Sequence, residues 1–284
     1  MELIDTHVHL MHPELFAYPW CADNPALLQR RFSLEDYRVA AAKAKGRAKI
    51  QAMLFMEADV PVAQQAAETE YFARMADKDR GDPPLLAVIA SAAPESADFP
   101  QQLARLAGDA RVRGLRRVLH NVPDELAQTE LFAENLRLLA KHELTFDLCV
   151  RPRQLTFIAE VAGKCPQTQF VLDHAGAPDV AGGDAELWRE GIRRLAVHAN
   201  VACKFSGLGS LADKSKPLTP QVQPFFTHCL ECFYPERMLW GSDWPVSPKL
   251  QEWVETTAEL LGELSDHEQA AIGTGNAGRI YRLN

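Results

Sequence analysis

Residues 2–11 read ELIDTHVHLM. The stretch begins as a short apolar strand and ends in two histidines, His7 and His9, with one valine between them. Successive side chains in a strand point to opposite faces, so residues two apart share a face. His7 and His9 are therefore expected side by side, with Asp5 on the same face and Thr6 and Val8 on the other. Two imidazoles so placed can share a metal ion, or can both donate hydrogen bonds to a developing oxyanion. A bare His-x-His can equally be a pair of satisfied histidines closing a strand, so the rest of the chain has to supply the context.

Runs of the same kind recur: IQAMLFME (50–57), LLAVIAS (85–91), GLRRVLH (114–120), TFDLCV (145–150), QFVLDH (169–174), VACKFSG (201–207) and RMLWGSD (237–243). Between them lie AQQAAETEYFARMADKD (63–79), FPQQLARLAGD (99–109), ELFAENLRLLAKHE (130–143), LTFIAEVAGKCP (155–166), ELWREGIRRLAVHA (186–199) and LTPQVQPFFTHCLECF (218–233). Their apolar residues recur three and four apart, the pattern of a helix packed on one side. Near-continuous apolar strands alternating with such helices predict a parallel sheet. Eight units predict a closed (β/α)8 TIM barrel, one domain over residues 1–284. A doubly wound open sheet is the rival, but the Gly-rich fingerprint it needs after the first strand is missing. The irregular stretch 11–32, with Tyr18 and Trp20, is expected as a lid over the barrel mouth, and 178–184 and 210–220 as further loops there.

In such a barrel the chemistry belongs at the C-terminal ends of the strands. Read in order, those ends offer His7 and His9, Glu57, Ser91, His120 with Asn121, Arg151, His174, Lys204 with Ser206, and Asp243 with Trp244. Asp173 directly precedes His174 and is expected on the opposite face, outside the site. RVRGLRR (111–117), the densest basic stretch, reads as a strand with solvated ends. Cys229 and Cys232 form a lone C-x-x-C, and without a second pair they read as core cysteines on a helix, not a zinc site.

Composition narrows the function. The 284 residues are 47% hydrophobic and 24% charged, with a net charge of −8. No basic run suggests a nucleic acid or an anionic membrane as partner. No stretch approaches the roughly 20 apolar residues of a membrane span. A first strand starting at Glu2 leaves no room for a signal peptide, so none is expected. Scattered cysteines read as free thiols, and a cytoplasmic location is the expectation.

DTHVHL (5–10), VLDHAGAPD (171–179) and WGSDWPV (240–246) resemble the amidohydrolase superfamily, whose members are (β/α)8 barrels with His-x-His on the first strand and an aspartate on the eighth. LCVRPRQL (148–155), KFSGL (204–208) and SDWPV (242–246) are similar to its lactonase branch, which holds L-fuconolactonases, L-rhamnonolactonases and the 2-pyrone-4,6-dicarboxylate lactonase. The resemblance implies hydrolysis of a sugar lactone to its aldonic acid. Asp243 would be the general base that activates water, and His174 with Arg151 or His120 would polarise the carbonyl. Glu57, Asn121 and Lys204 would hydrogen-bond the substrate hydroxyls, with Trp20 and Trp244 as stacking faces. Binuclear members carry a bridging lysine or glutamate at the end of the fourth strand and a histidine at the end of the fifth, where this chain has His120 with Asn121 and Arg151. The remaining set, His7, His9, His174 and Asp243, would hold one divalent ion such as zinc, or the reaction would need none. A metal-dependent decarboxylase, or a hydrolase of another cyclic ester, is the alternative.

Overall fold

The apolar runs form eight parallel strands whose order in the sheet is their order in the sequence. A computed structural model describes residues 1–22, 24–44, 46–182, 185–247 and 249–283. The strands are β1 (Glu2–Val8), β2 (Lys49–Met56), β3 (Leu85–Ser91), β4 (Val112–Val118), β5 (Thr145–Cys149), β6 (Phe170–Leu172), β7 (Val201–Phe205) and β8 (Met238–Trp240). Helices α1 (Leu34–Lys43), α2 (Val62–Lys78), α3 (Phe99–Ala107), α4 (Asp124–Ala127), α5 (Glu130–Leu138) and α6 (Leu155–Lys164) cover the first half. The second half adds α7 (Glu186–Ala196), α8 (Leu208–Leu211), α9 (Leu218–Phe233), α10 (Leu250–Leu261), α11 (Asp266–Ala270) and α12 (Asn276–Ile280). The seam between β1 and β8 is closed just beyond the strands, where Asp243 N–H donates to His7 O at 2.8 Å and His9 N–H to Trp244 O at 2.8 Å.

The helices form for the reason their spacing gives. On α2 the buried residues are Gln65, Glu68, Thr69, Phe72, Ala73 and Ala76; on α7 they are Trp188, Gly191, Ile192, Leu195 and Ala196. Both are stripes of three and four that face the sheet. Phe72 stacks on Phe55 of β2 with centroids 3.9 Å apart. Helix α1 is weakly amphipathic, with only Tyr37 and Ala41 buried, and starts on a capping box between Ser33 and Asp36. Cys229 lies in the core on α9 and Cys232 is half-buried on the same helix.

Inside the barrel, Leu54, Ala87, Ile89, Val171, Ala202 and Leu239 form an apolar floor packed against Ile280 and Tyr281. The C-terminal segment thus plugs the bottom. Gly273 permits its approach, because a Cβ there would lie 2.3 Å from Glu2 O. At the opposite end, Met11 and Phe32 exchange backbone hydrogen bonds of 2.9 Å and pinch the base of the 11–32 loop. Among the described residues no helix is long and apolar enough to cross a membrane.

Candidate active site

Above the apolar floor lies a layer of charge. Arg116 of β4 donates from Nε to Glu57 Oε1 at 2.5 Å and from Nη2 to Glu57 O at 2.7 Å. Lys204 of β7 donates to Asp147 Oδ2 at 2.6 Å and lies 3.0 Å from Asp173 Oδ1. Tyr281 donates its phenol to Asp147 Oδ2, also at 2.6 Å. All these side chains are buried. Burial works against their charges, but the pairing wins for most of them. Arg116 holds Glu57 below the usual carboxylate range, and Lys204 holds Asp173 well below it. At Asp147 burial prevails and lifts the carboxyl to about 6.

The working groups stand on this layer. His7 Nε2 is 3.2 Å from His9 Nε2. Asp243 Oδ1 lies 3.7 Å from His7 Nε2, 3.5 Å from His9 Nε2 and 4.0 Å from His174 Nε2. His9 Nδ1 faces Met56 O at 3.0 Å; the carbonyl only accepts, so Nδ1 carries the proton and Nε2 presents a lone pair. His174 Nδ1 contacts Ser206 Oγ at 2.9 Å. Burial lowers the pKa of both His7 and His174, so these rings are neutral near pH 7. Asp243 and His174 both sit in the left-handed region, at φ 62° and φ 53°, a strain that functional sites store. Gly207, at φ 69°, passes so close to His174 that a Cβ would meet Nδ1 at 2.4 Å.

These groups open into a cleft of about 320 Å³ lined by His9, His174, Asp243, Arg116, His120, Asn121, Arg151, Asp59, Cys149 and Trp20. Ser210 and Leu211 line it from the second of the loops expected at the mouth, and Ala177 from just before the first; Gly183 and Asp184 of that first loop lie outside the described residues. Trp20 comes from the 11–32 loop and donates Nε1–H to Ala58 O at 2.8 Å. Asn121 donates to Asp59 Oδ2 at 3.0 Å. His120, with Sγ of Cys149 3.6 Å from its Nδ1, has its pKa pushed down to about 4 by burial and by Arg151.

Several expected positions are corrected. Glu57 and Lys204 do not line the cleft; both are buried in the ionic layer, because each has a buried counter-charge that holds it there. Trp244 turns away from the cleft and packs edge-on against Phe32 and Tyr37, both at 5.5 Å. Asp5 leaves the face of His7 and His9. Between Asp5 and Val8 strand β1 runs three residues against two on β2, and this bulge breaks the alternation. Asp5 then accepts from Tyr37 Oη at 2.6 Å and Ser242 N–H at 2.8 Å on the helix side. Asp173 joins the site after all, since β6 stops at Leu172 and the left-handed turn at His174 and Ala175 lets both residues face inward. Arg116 is not a solvated strand end but a buried cleft residue. The alternation Gly114, Arg116, Val118 is the signal that places it inward.

The acceptors His7 Nε2, His9 Nε2 and Asp243 Oδ1 converge, as do atoms of His7, Asp173 and His174. A nitrogen pair 3.2 Å apart matches two ligands on one tetrahedral ion with bonds of about 2.0–2.1 Å. The first group fits one divalent cation. The second fits poorly, because Lys204 and Arg116 already lie within ion-pair distance of Asp173.

The sequence model of the amidohydrolase family matches residues 4–283. The chain belongs to the amidohydrolase family. It is 32% identical over 200 residues to L-fucono-1,5-lactonase of Burkholderia ambifaria, covering 67% of this chain and 68% of that one. A second L-fucono-1,5-lactonase, from Burkholderia multivorans, is 29% identical over 302 aligned positions, or 99% and 96% of the two chains. The crystal structure of an amidohydrolase from Burkholderia multivorans with bound zinc superposes over the whole of both chains with a TM-score of 0.86 at 26% identity.

Proposed function

We propose that this amidohydrolase opens a neutral sugar lactone, of the L-fuconolactone kind, to the aldonic acid. The observation that carries the reading is the carboxylate of Asp243 at the wall of a polar cleft, ringed by His7, His9 and His174 within 4.0 Å. Lactone hydrolysis needs a water made nucleophilic, a polarised carbonyl and a proton for the leaving alkoxide. Asp243 takes the proton of the attacking water. His174, with His120 or Arg151, donates to the carbonyl oxygen as it becomes an oxyanion; one such donor is typically worth about 100- to 1000-fold in rate. Protonated Asp243 then returns the proton to the ring oxygen as the C–O bond breaks.

His120 is neutral near pH 7, because its pKa is depressed to about 4, so its ring can donate without carrying charge. Asn121, Asp59 and Arg151 supply mixed donors and acceptors at the mouth, as a polyhydroxylated ring requires. Trp20 offers an aromatic face beside them. His7, His9 and Asp243, with His174 alongside, would hold a single zinc ion, which when bound polarises an oxygen ligand. The relatives named as L-fucono-1,5-lactonases support the substrate class. The small-molecule substrate and the scattered free thiols suit a cytoplasmic enzyme.

The test is acid release from L-fucono-, L-rhamnono- and L-galactonolactone, measured as kcat/KM. Turnover of at least one at well above the spontaneous rate supports the reading. No turnover of any, by a folded protein, overturns it.

A further inference from the structure

Asp173 is the group in this site that the proposed chemistry leaves unused. Its two oxygens, and the Nδ1 of His7 that faces them, are buried and make no well-formed hydrogen bond. What they have is each other, with Nδ1 3.4 Å from Oδ1. Behind the carboxylate, Lys204 Nζ is 3.0 Å from the same Oδ1 and Arg116 Nη1 is 3.6 Å from Oδ2. Lys204 is in turn gripped by Asp147, which takes the phenol of Tyr281. A line of contacts therefore runs from the C-terminal plug through the floor of the barrel to His7.

A neutral imidazole has one N–H and one lone pair, and its neighbours decide which nitrogen has which. With the proton on Nε2, His7 could donate to His9 Nε2 at 3.2 Å. That arrangement sets the Nδ1 lone pair against the carboxylate of Asp173 in a dry site. It also points the Nε2 proton toward Arg116 Nη1, 3.3 Å away, and a guanidinium has no lone pair to receive it. With the proton on Nδ1, both conflicts vanish: Nδ1–H faces a carboxylate, and Nε2 keeps a lone pair that accepts from Arg116 while no cation is bound and that a bound cation takes over. Both contacts are then charge-assisted, roughly twice as strong as the single neutral one they replace.

We propose that Asp173, anchored by Lys204, is a positioning residue that fixes the Nδ1–H tautomer of His7 and so aims its Nε2 lone pair at the point it shares with His9 and Asp243. His9 reaches the same state by another device, the carbonyl of Met56. Two lone pairs 3.2 Å apart, with a carboxylate oxygen beside them, form a cradle for a cation or an electrophile. Such supporting carboxylates are the usual way a protein orients a working histidine. The inference rests on the proposed role of the His7–His9–Asp243 cluster, but its test does not use the lactone reaction.

The experiment is 15N NMR of the full chain, labelled at histidine, stripped of metal, at neutral pH. The His7 signals are assigned by comparison with His7→Gln. The expected spectrum has a protonated-type Nδ1 and a bare Nε2 for His7. The charge-conserving pair Asp173→Asn with Lys204→Met turns an amide N–H toward Nδ1. It should move the His7 proton to Nε2 and weaken zinc binding, measured by chelator competition, by about 10- to 100-fold. A proton on Nε2 in the wild-type protein overturns the proposal, whether or not the variant folds. So does a folded double variant with the wild-type tautomer and zinc affinity within twofold. Inactivity on every lactone, beside the expected His7 spectrum, would overturn the substrate reading and leave this one standing.

Discussion

His9 Nε2 lies 3.5 Å from Asp243 Oδ1, although the two residues are separated by nearly the whole barrel in sequence. The bonds that bring them together are those that close the β1–β8 seam, from Asp243 N–H to His7 O and from His9 N–H to Trp244 O. Barrel closure and site assembly are one event here. A site built on strand ends in this way is held more rigidly than one carried by loops.

Asp243→Asn is isosteric and leaves the seam bonds, which are backbone bonds, in place. The variant should fold with wild-type stability and lose more than 90% of kcat, a loss of at least about 1.4 kcal/mol of transition-state stabilisation. Retention of more than a tenth of kcat would remove Asp243 as general base.

The ligand geometry sets a metal prediction. Among the described residues, only the His7–His9–Asp243 group presents acceptors without resident cations paired to its carboxylate. Metal analysis after dialysis should find at most one divalent ion per chain, and lactone hydrolysis should survive chelation. Complete loss with EDTA, restored by one equivalent of zinc, would assign the polarising role to the metal and favour the metal-dependent alternatives.

The Glu57–Arg116 pair is a stability prediction. Both side chains are no more than 4% exposed and Nε to Oε1 is 2.5 Å. Removing one partner of such a pair strands the other charge in a dry site, at a cost of about 3–5 kcal/mol. Glu57→Gln should lower the urea midpoint accordingly, while Arg151→Met at the exposed mouth should not. Equal stabilities for the two variants would contradict the buried-pair description.

His120 gives a pH prediction with a definite sign. Burial, then Arg151, depress its pKa to about 4, against about 6.5 in an unfolded chain. Below pH 6.5 the unfolded state therefore binds the proton more readily. The contribution to stability is complete above pH 6.5 and is lost as pH falls toward 4. Asp5 and Asp147, raised to about 6 by burial, act in the opposite direction, so the comparison must be with His120→Gln. The difference in unfolding free energy between wild type and variant should shrink from pH 7 to pH 4, and a constant difference would refute the assignment.

How much of this was legible in the sequence depends on where the alternation of strands held. It held through β2 to β5, and there the apolar runs, their ends and the helices between them could be read directly. It failed at two points. The bulge after Asp5 turned that carboxylate to the helix side, and the left-handed turn at His174 brought Asp173 inward. The bulge has no glycine to announce it, and the glycine of the turn, Gly176 at φ 72°, comes only after His174 and Ala175, ordinary residues that already hold positive φ. Lys204 and Glu57 were recognisable as charged strand-end residues, but their partners, Asp147 and Arg116, lie on other strands, so their burial was not. Arg116 was legible in principle, two residues before Val118 on an inward-facing parity. The basic composition of RVRGLRR hid it.

The last prediction concerns the charge of the substrate. Among the described residues, two arginines reach the cleft, Arg116 and Arg151. Arg116 spends its Nε and Nη2 on Glu57 and turns Nη1 toward His7 and Asp173, so its positive charge is already answered. Arg151 stands exposed at the mouth. An aromatic dicarboxylate would need two or more guanidinium forks free for bidentate pairing, since that geometry is what matches carboxylates. The cleft instead mixes Asp59, Asn121, His120 and Arg151, donors and acceptors suited to hydroxyls. A site of that kind rejects analogues that lack a hydroxyl, because its own buried polar groups are then left unpaired. Neutral five- and six-carbon sugar lactones should therefore be hydrolysed with higher kcat/KM than 2-pyrone-4,6-dicarboxylate, and deoxy analogues should be poor substrates. Arg151→Met should weaken the sugar lactones without inverting that order. A clear preference of the wild-type enzyme for the dicarboxylate, lost on Arg151→Met, would mean that the cleft reads charge and not hydroxyls.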